Sequence, residues 1–232
     1  MTRKLKIATA VSCADPLDLR HQVEYINART DFMHLDIKDG CYVRTFGVGP
    51  EFLDAIKDIV TVPMDAHLMV QRPWEHLEAF AKAGATYLTP HADVIENVAL
   101  VTINQIKELG CKAGVALNPA RSLDSIRYYL PYLDKVTIML VDAGIAGQRV
   151  IPEMYEKINT LARWRKEMGL DFLIEADGSM NKSLYADLCR AGADMVVAGP
   201  PALWNLDPDF ERAWDTMESY LDEETRDVIP EI

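Results

Sequence analysis

Short apolar runs alternate with longer amphipathic stretches along the chain. The runs are rich in β-branched residues, which is typical of buried strands, and the stretches between them repeat apolar residues at helical spacings of three and four. The predicted strands lie near residues 5–12, 32–37, 63–70, 87–92, 112–118, 135–142, 172–177 and 195–199. This alternation predicts an α/β fold with a parallel sheet.

The number of runs and the chain length favour a closed barrel. Eight strands in 232 residues give about 29 residues per strand–helix unit, the usual length in a (β/α)8 barrel. An open doubly wound sheet is the alternative, but it usually has fewer strands, and no Gly-x-Gly-x-x-Gly follows the first one. Without a long Pro/Gly/Ser linker, the prediction is a single (β/α)8 TIM barrel domain over 1–232, with a short acidic tail at 222–227 that we expect to be a solvated helix end. Glycines are expected to end helices at Gly84, Gly110, Gly169 and Gly192.

Composition limits the classes of partner. Lysine plus arginine number 24 and aspartate plus glutamate 36, giving a net charge of −12. Nucleic-acid binding is therefore disfavoured, because neutralising phosphates needs a basic surface. The chain has 49% hydrophobic residues, as expected of a folded protein, and we find no apolar run long enough for a membrane span.

The N-terminus and the cysteines bear on location. Residues 2–12 resemble a signal peptide in outline, but their apolar stretch is short and interrupted by hydroxyls, so we interpret it as the first strand. The four cysteines show no short spacing that would indicate a disulfide framework or a CxxC motif. We therefore expect a cytoplasmic protein.

Ionisable residues gather where predicted strands end, and active sites of (β/α)8 barrels lie at these carboxyl ends. His34 and Asp36 share a face of the second strand with Lys38, His67 ends the third, and Asp177 ends the seventh. Burying such groups costs several kcal/mol without a compensating partner. Two imidazoles and two carboxylates form a ligand set for zinc, manganese, iron or cobalt.

Each of these residues also has a purely structural interpretation. A strand-end histidine is usually a hydrogen-bonded core or rim residue, and Asp177 precedes a glycine, as turn formers do. Four such residues at three strand ends favour the metal site. His91 and Asp93, after the fourth strand, are candidates to support the ligands from behind.

The motifs that carry these residues resemble the ribulose-phosphate 3-epimerase family. HLDIKDG resembles the family's HxDxMDG signature, and the similarity extends over about residues 5–215. The other matching motifs, in the family's order, are HLMV at 67–70, LNP at 117–119, VDAGIAGQ at 141–148 and EADG at 175–178. The stretches 151–154, 162–165 and 177–181 resemble the D-allulose-6-phosphate 3-epimerase branch in particular.

The resemblance implies roles for individual residues. Asp36 would be the base that removes the proton next to the ketone, and Asp177 the acid that returns one on the opposite face, because inversion through a planar enediolate needs a group on each side. Met69 and Met139 would cap the intermediate, although plain core packing explains them equally well. The implied ligands of one divalent metal, which stabilises the developing charge, are His34, Asp36, His67 and Asp177. We expect zinc most, with manganese, iron or cobalt as alternatives.

The implied phosphate site is altered. Family members cradle the phosphate with backbone N–H groups after strands six, seven and eight, and the matching residues here are Gly144, Gly147, Gln148, Gly178, Ser179 and Gly199. Pro200 and Pro201 follow Gly199 where the family has glycine and then serine or threonine, so two N–H donors are missing. Ala10 replaces a substrate-binding serine, for which Ser12 or Cys13 can compensate.

Charged residues also depart from the family pattern. Lys38 replaces a methionine and can bind an anionic group or extend to the rim. Asp36-Ile37-Lys38 partly resembles the DxK element of the orotidine-phosphate decarboxylase suprafamily, but the aspartate expected at position 41 is Cys41. Arg44 and Thr45 replace proline and asparagine, and Arg149 can supply positive charge.

These observations predict an isomerase: a metal-dependent epimerase of a ketose phosphate, of the D-ribulose 5-phosphate or D-allulose 6-phosphate type. The alternatives are the same site acting on a non-phosphorylated or carboxylated sugar, a decarboxylase-like activity that uses Lys38, and a non-enzymatic metal-binding role. The resemblance further implies a homo-oligomer.

Overall fold

Eight parallel strands form a barrel in a computed structural model that describes residues 4–145 and 147–231. Each strand pairs with the next along the chain, and the eighth pairs with the first, so the sheet closes and the predicted TIM barrel is confirmed. The strands are β1 (Lys6–Ala10), β2 (Phe32–Lys38), β3 (Met64–Met69), β4 (Tyr87–Pro90), β5 (Lys112–Leu117), β6 (Lys135–Met139), β7 (Leu173–Asp177) and β8 (Met195–Ala198).

Helices cover the outside of the barrel. They are α1 (Leu19–Asn27), α2 (Pro50–Ile56), α3 (Leu77–Lys82), α4 (Ala92–Ile95), α5 (Ala99–Glu108), α6 (Glu153–Met168), α7 (Tyr185–Ala191) and α8 (Phe210–Thr225). Gly169 and Gly192 end α6 and α7 in the left-handed conformation, as predicted. None of the helices in the described part of the chain is both long and apolar enough to cross a membrane.

The connection between β5 and β6 differs from the predicted pattern. Residues 118–134 contain two short 3-10 turns, Leu123–Ser125 and Leu130–Tyr132, and no α-helix. Pro131 lies in the second turn, where its missing N–H and its ring prevent a continuous helix. Leu123 and Ile126 are nevertheless buried, so the apolar spacing in this segment reflects packing against the barrel.

The acidic tail at 222–227 includes the end of α8, and Asp222, Glu223, Arg226 and Asp227 are exposed, as in a solvated helix end. It continues α8, and Thr225 within it is buried, with its hydroxyl donating to the carbonyl of Leu221. The first part of the tail, up to Thr225, therefore belongs to α8.

Side chains inside the barrel change character along its axis. Ala8, Phe32, Tyr87 and Met195 form an apolar cluster at the amino-terminal end of the strands. Charged and hydroxyl side chains follow, and the carboxyl ends carry the histidines and aspartates singled out in the sequence. The larger apolar core lies between the strands and the helices.

Candidate metal centre and substrate cavity

The four predicted ligands come together at the carboxyl ends of three strands. His34 and Asp36 project from the same face of β2, and the strand register places Asp36 beside His67 of β3. Asp177 ends β7 on the other side of the barrel. One ligand atom from each of the four residues lies within 4.8 Å of all the others.

The distances show which atoms face the centre. His34 Nε2 lies 3.3 Å from Asp36 Oδ1 and 3.9 Å from Asp177 Oδ2. His67 Nδ1 lies 3.5 Å from the same two oxygens. Both histidines are fully buried, whereas the two carboxylates keep some exposure and face a cavity. The imidazoles thus form the floor of the site and the carboxylates its open side.

The electrostatics of the cluster match a site for a cation. Burial opposes ionisation of Asp36, but His34 and His67 outweigh it and hold the pKa of Asp36 well below its usual range. Burial lowers the pKa of His34, yet Asp36 and Asp65 raise it well above its usual value. Burial likewise lowers the pKa of His67, and Asp177 and Asp36 raise it. A divalent ion can replace these protons, because metal ligands must be deprotonated.

One buried atom tests the fit of a metal directly. His67 Nδ1 is buried and has no hydrogen-bond partner among the described residues, yet it points at two carboxylates. Such an unpaired buried nitrogen is costly unless it binds something. Two nitrogens and two carboxylate oxygens suit a first-row divalent metal, so the residues present fit one.

His91 supports His67 from behind. Its Nε2 lies 2.9 Å from His67 Nε2, which orients the imidazole so that Nδ1 faces the centre. Burial and the neighbouring His67 hold the pKa of His91 well below its usual value. Asp93 is farther away, at 4.0 Å from His91 Nδ1, and accepts a hydrogen bond from the Tyr42 hydroxyl. The predicted supporting role therefore has a direct contact for His91 only.

The sequence pattern did not indicate a layer of charged side chains that lies below the ligands. Asp65, Lys135 and Glu175 are fully buried inside the barrel, and Lys135 contacts both carboxylates. Burial lowers the pKa of Lys135, but Asp65 and Glu175 raise it to about 12. Asp65 and Glu175 each lie two residues before a ligand, so period-two alternation was the available signal.

A cavity of about 400 Å³ opens above the ligands. Met69 and Met139 line it and are almost completely buried, so they give it two apolar walls. The other predicted substrate-binding residues in its wall are Lys38, Gly144, Gly147, Gly178, Ser179 and Gly199. Lining residues that the sequence did not indicate include Phe46, Asp142, Ile145 and Met180.

Two predicted substrate-binding residues do not line this cavity. Ser12 lies outside its wall, whereas the neighbouring Cys13 belongs to it. Burial, with a contribution from Asp36, raises the pKa of the Cys13 thiol to about 11, so Cys13 is not a reactive thiolate. Gln148 donates to the carbonyls of Asp142 and Ile145 at 2.7 and 2.8 Å, and it braces the loop after β6.

Lys38 is the one cationic side chain among the described residues that line the cavity. Its Nζ lies 3.0 Å from Asp36 Oδ2, the oxygen that points away from the histidines. Arg44 and Arg149 are exposed and do not line the cavity. The positive charge available to an anionic substrate from side chains is therefore that of Lys38.

The loop after β7 offers a second polar group. Gly178 has a φ of 119°, and a Cβ there would lie 2.7 Å from Val141 Cγ2, so the turn requires glycine. Ser179 follows with a φ of 48°, which is strained for a residue other than glycine. Its buried Oγ has no hydrogen-bond partner among the described residues, and Ser179 lines the cavity. The strained turn thus presents a free hydroxyl beside Asp177.

Fold and site together define the class of protein: a (β/α)8 barrel with a two-histidine, two-aspartate site at its mouth that can hold a divalent metal. Residues 6–203 match the ribulose-phosphate 3 epimerase family, and the chain belongs to that family. The resemblance to this family is confirmed, and the chain is a carbohydrate epimerase of the isomerase class. The resemblance to the D-allulose-6-phosphate branch stays a prediction.

Several curated relatives bear the same family name. Ribulose-phosphate 3-epimerase of Synechocystis is 37% identical over 92% of this chain and 93% of its own length. The Bacillus subtilis enzyme is 36% identical over 84% of this chain and 90% of its own. The Escherichia coli enzyme is 37% identical over 84% and 85%, respectively.

Solved structures are similar in fold at much lower identity. The structure of KGPDC from Streptococcus mutans has a TM-score of 0.74 at 13% identity and covers 95% of this chain and 99% of that one. The 3-hexulose-6-phosphate synthase of Salmonella typhimurium has a TM-score of 0.69 at 15% identity and covers 95% and 100%. At such identities these likenesses bear on the fold alone.

Proposed function

We propose that the chain is a divalent-metal-dependent 3-epimerase of a ketose phosphate, of the D-ribulose 5-phosphate or D-allulose 6-phosphate type. The observation that carries this proposal is the pair Asp36 and Asp177, which face one cavity from two different strands and share the histidine ligands. Two carboxylates at one reacting carbon supply what inversion needs, a group that removes a proton and a group that returns one.

Each part of the site has a role in this reaction. Asp36 takes the proton from the carbon next to the ketone, and Asp177 returns a proton to the opposite face. His34, Asp36, His67 and Asp177 would hold the metal, with zinc as the first candidate, and a bound metal supplies Lewis-acid stabilisation of the negative charge that develops on substrate oxygen. Met69 and Met139 exclude water from the reacting carbon.

Recognition of the phosphate is proposed for the loops after β6, β7 and β8. The candidate donors in the cavity wall are the N–H groups near Gly144, Gly147, Gly178 and Gly199 and the free Ser179 hydroxyl. Pro200 and Pro201 line the same wall and donate no N–H. The phosphate would therefore be held by fewer backbone donors than the resemblance implies.

A second candidate substrate is a non-phosphorylated or carboxylated sugar. The observation that favours it is the combination of the two prolines with Lys38, whose Nζ lies 3.0 Å from Asp36 of the metal cluster. A carboxylate bound by Lys38 would lie near the reacting carbon. Homo-oligomer formation and a cytoplasmic location stay predictions from the sequence.

The test compares turnover of D-ribulose 5-phosphate, D-allulose 6-phosphate, the two unphosphorylated ketoses, a carboxylated sugar and a β-keto-acid phosphate by the metal-loaded protein. Epimerisation in deuterium oxide should incorporate solvent deuterium at the inverted carbon. Preference for a phosphate ester supports the first candidate, and preference for an unphosphorylated or carboxylated sugar supports the second. Release of carbon dioxide from a β-keto-acid phosphate would instead favour the decarboxylase-like reaction.

Asp177→Asn should nearly abolish epimerisation, because the acid can no longer return the proton. Glu78→Gln, which changes a carboxylate exposed on α3, is the matched control and should keep full activity. Full activity of the Asp177→Asn variant would contradict the two-carboxylate reaction.

A further inference from the structure

The charged layer below the ligands, formed by Asp65, Lys135 and Glu175, is tightly bonded inside the barrel. Lys135 Nζ donates to Glu175 Oε1 at 2.6 Å and also to Asp65 Oδ2. Thr89 donates to Asp65 Oδ1 at 2.6 Å, and Thr137 donates to Glu175 Oε1 at 2.7 Å. All of these side chains are fully buried, so bulk water does not screen the ion pairs.

The layer lies directly against a metal ligand. The Asp65 oxygen that contacts Lys135 is Oδ2, and the same oxygen lies 3.3 Å from His34 Nδ1. Glu175 Oε2 lies 3.9 Å from that nitrogen. The other ring nitrogen, Nε2, faces Asp36 and Asp177 in the cluster. Lys135 and His34 therefore meet at one carboxylate oxygen, between the layer and the ligands.

Without the lysine, this layer would hold two carboxylates and no fixed cation. His34, Asp65 and Glu175 by themselves have the spacing of a metal-binding group. Lys135 Nζ contacts both of these carboxylates, so its ammonium provides the cation that the pair requires. We therefore do not interpret this group as a second metal site.

The backbone next to the charged layer leaves space for the hydrogen bonds of that layer. Gly114 of β5 lies beside Thr89, and a Cβ at this position would lie 2.2 Å from Thr89 Oγ1. Glycine thus leaves room for the hydroxyl that holds Asp65. The arrangement involves β3, β4, β5, β6 and β7, which fixes the position of Asp65 relative to His34.

We propose that Lys135 is a positioning residue for the metal ligand His34, acting through Asp65. His34 Nδ1 is buried and has no hydrogen-bond partner among the described residues, and Asp65 Oδ2 lies 3.3 Å from it. By holding this carboxylate oxygen beside Nδ1, Lys135 favours the tautomer with its hydrogen on Nδ1 and leaves the Nε2 lone pair directed at the metal. Partners of this kind orient the ring and increase its affinity for the metal. The inference rests on the proposed function, in which His34 is a metal ligand.

The test measures metal affinity, which needs no substrate. The variant is Lys135→Met, and the readout is the dissociation constant for zinc and for cobalt, from competition with a chelator, with the cobalt absorption spectrum as a report on ligand geometry. We expect affinity to fall roughly 10- to 100-fold, as for loss of other groups that orient metal ligands. The spectrum should change as well.

Lys157→Met is the matched control. Lys157 is a partly buried lysine on α6 whose Nζ donates to the carbonyls of Pro119 and Arg121, both at 2.7 Å, and it contacts none of the ligands. Its loss should lower the melting temperature and leave the metal dissociation constant unchanged. A comparable loss of affinity in both variants would show a general effect of destabilisation and overturn the proposal.

A second variant covers the case in which Lys135→Met does not fold. Lys135→Met combined with Glu175→Gln removes one positive and one negative charge, so the layer keeps its net charge while Asp65 loses its lysine. The same loss of affinity is expected. A folded variant with the wild-type metal affinity and cobalt spectrum would overturn only the role of Lys135. A wild-type protein that binds metal but epimerises no ketose phosphate would overturn only the proposed function.

Discussion

Gly114→Ala introduces one methyl group against Thr89 inside the barrel. The new Cβ would lie 2.2 Å from Thr89 Oγ1 and 3.0 Å from Thr89 Cβ, well inside van der Waals contact. Thr89 cannot turn away freely, because its hydroxyl donates to buried Asp65 at 2.6 Å. The substitution therefore pushes β4 away from β5 and also displaces the Thr89 hydroxyl from Asp65.

The magnitude follows from these two costs. Overpacking a core costs about 1–3 kcal/mol, and losing a hydrogen bond to a charged group costs about 1.5–3 kcal/mol more. For a chain of this size, each kcal/mol lowers the melting temperature by about 2–4 °C. We expect Gly114→Ala to melt roughly 5 to 25 °C below the wild type.

The assay is thermal unfolding followed by circular dichroism, with a chelator present so that metal binding does not contribute. Gly199→Ala is the matched control, because a Cβ there meets nothing within 4 Å and its φ is not positive. The Gly199→Ala variant should have the same melting temperature as the wild type. In the double variant with Thr89→Ala the contacts at 2.2 Å with Oγ1 and 3.1 Å with Cγ2 are removed and the 3.0 Å contact with the Cβ of residue 89 stays, so the two losses should not add. A Gly114→Ala variant that melts within about 2 °C of the wild type would refute the reasoning.

Three further predictions concern the metal centre. Adding zinc at about 100 times its dissociation constant should stabilise the fold by about 2.7 kcal/mol, measured as a rise in melting temperature that a chelator reverses; no rise would contradict the site. Metal affinity should fall as the pH drops. Carboxylate partners raise the pKa of His34 and of His67, so protons begin to compete with the metal at a pH above 6.5, the usual pKa of histidine. A competition titration at several pH values checks this, and a constant affinity across that range would count against these ligands. His91→Phe should weaken metal binding roughly 10- to 100-fold by leaving His67 Nε2 without its partner, and unchanged affinity by calorimetry would remove His91 from the support of the site.

Much of the site could be predicted from the sequence, because alternate residues of a strand lie on the same face. His34 and Asp36, two residues apart on one strand, must share a face, and (β/α)8 barrels carry their sites at strand ends. The same argument located His67 and Asp177, and the motifs around them indicated the family. Ser12 and Gln148 were harder to place, because loop side chains have no period to follow.

The connection from β5 to β6 shows a different limit. Its apolar residues repeat at helical spacing, yet the segment folds into short 3-10 turns that bury the same side chains. Periodicity reports which positions face the core and does not by itself select the backbone conformation. Pro131 was the available signal against a continuous helix.

The sequence by itself determined the strand order, the barrel and the identity of the four candidate ligands, because these depend on local spacing and on the known rule for barrel mouths. Only the tertiary structure decided which groups surround those ligands. Lys135 meets Asp65 across 70 residues of chain, inside a closed sheet whose strands are buried on both faces. Hydrophobic pattern cannot separate the inside of such a barrel from its outside, because both faces are hidden from water. Closure of the sheet is what brings this lysine below the candidate metal site.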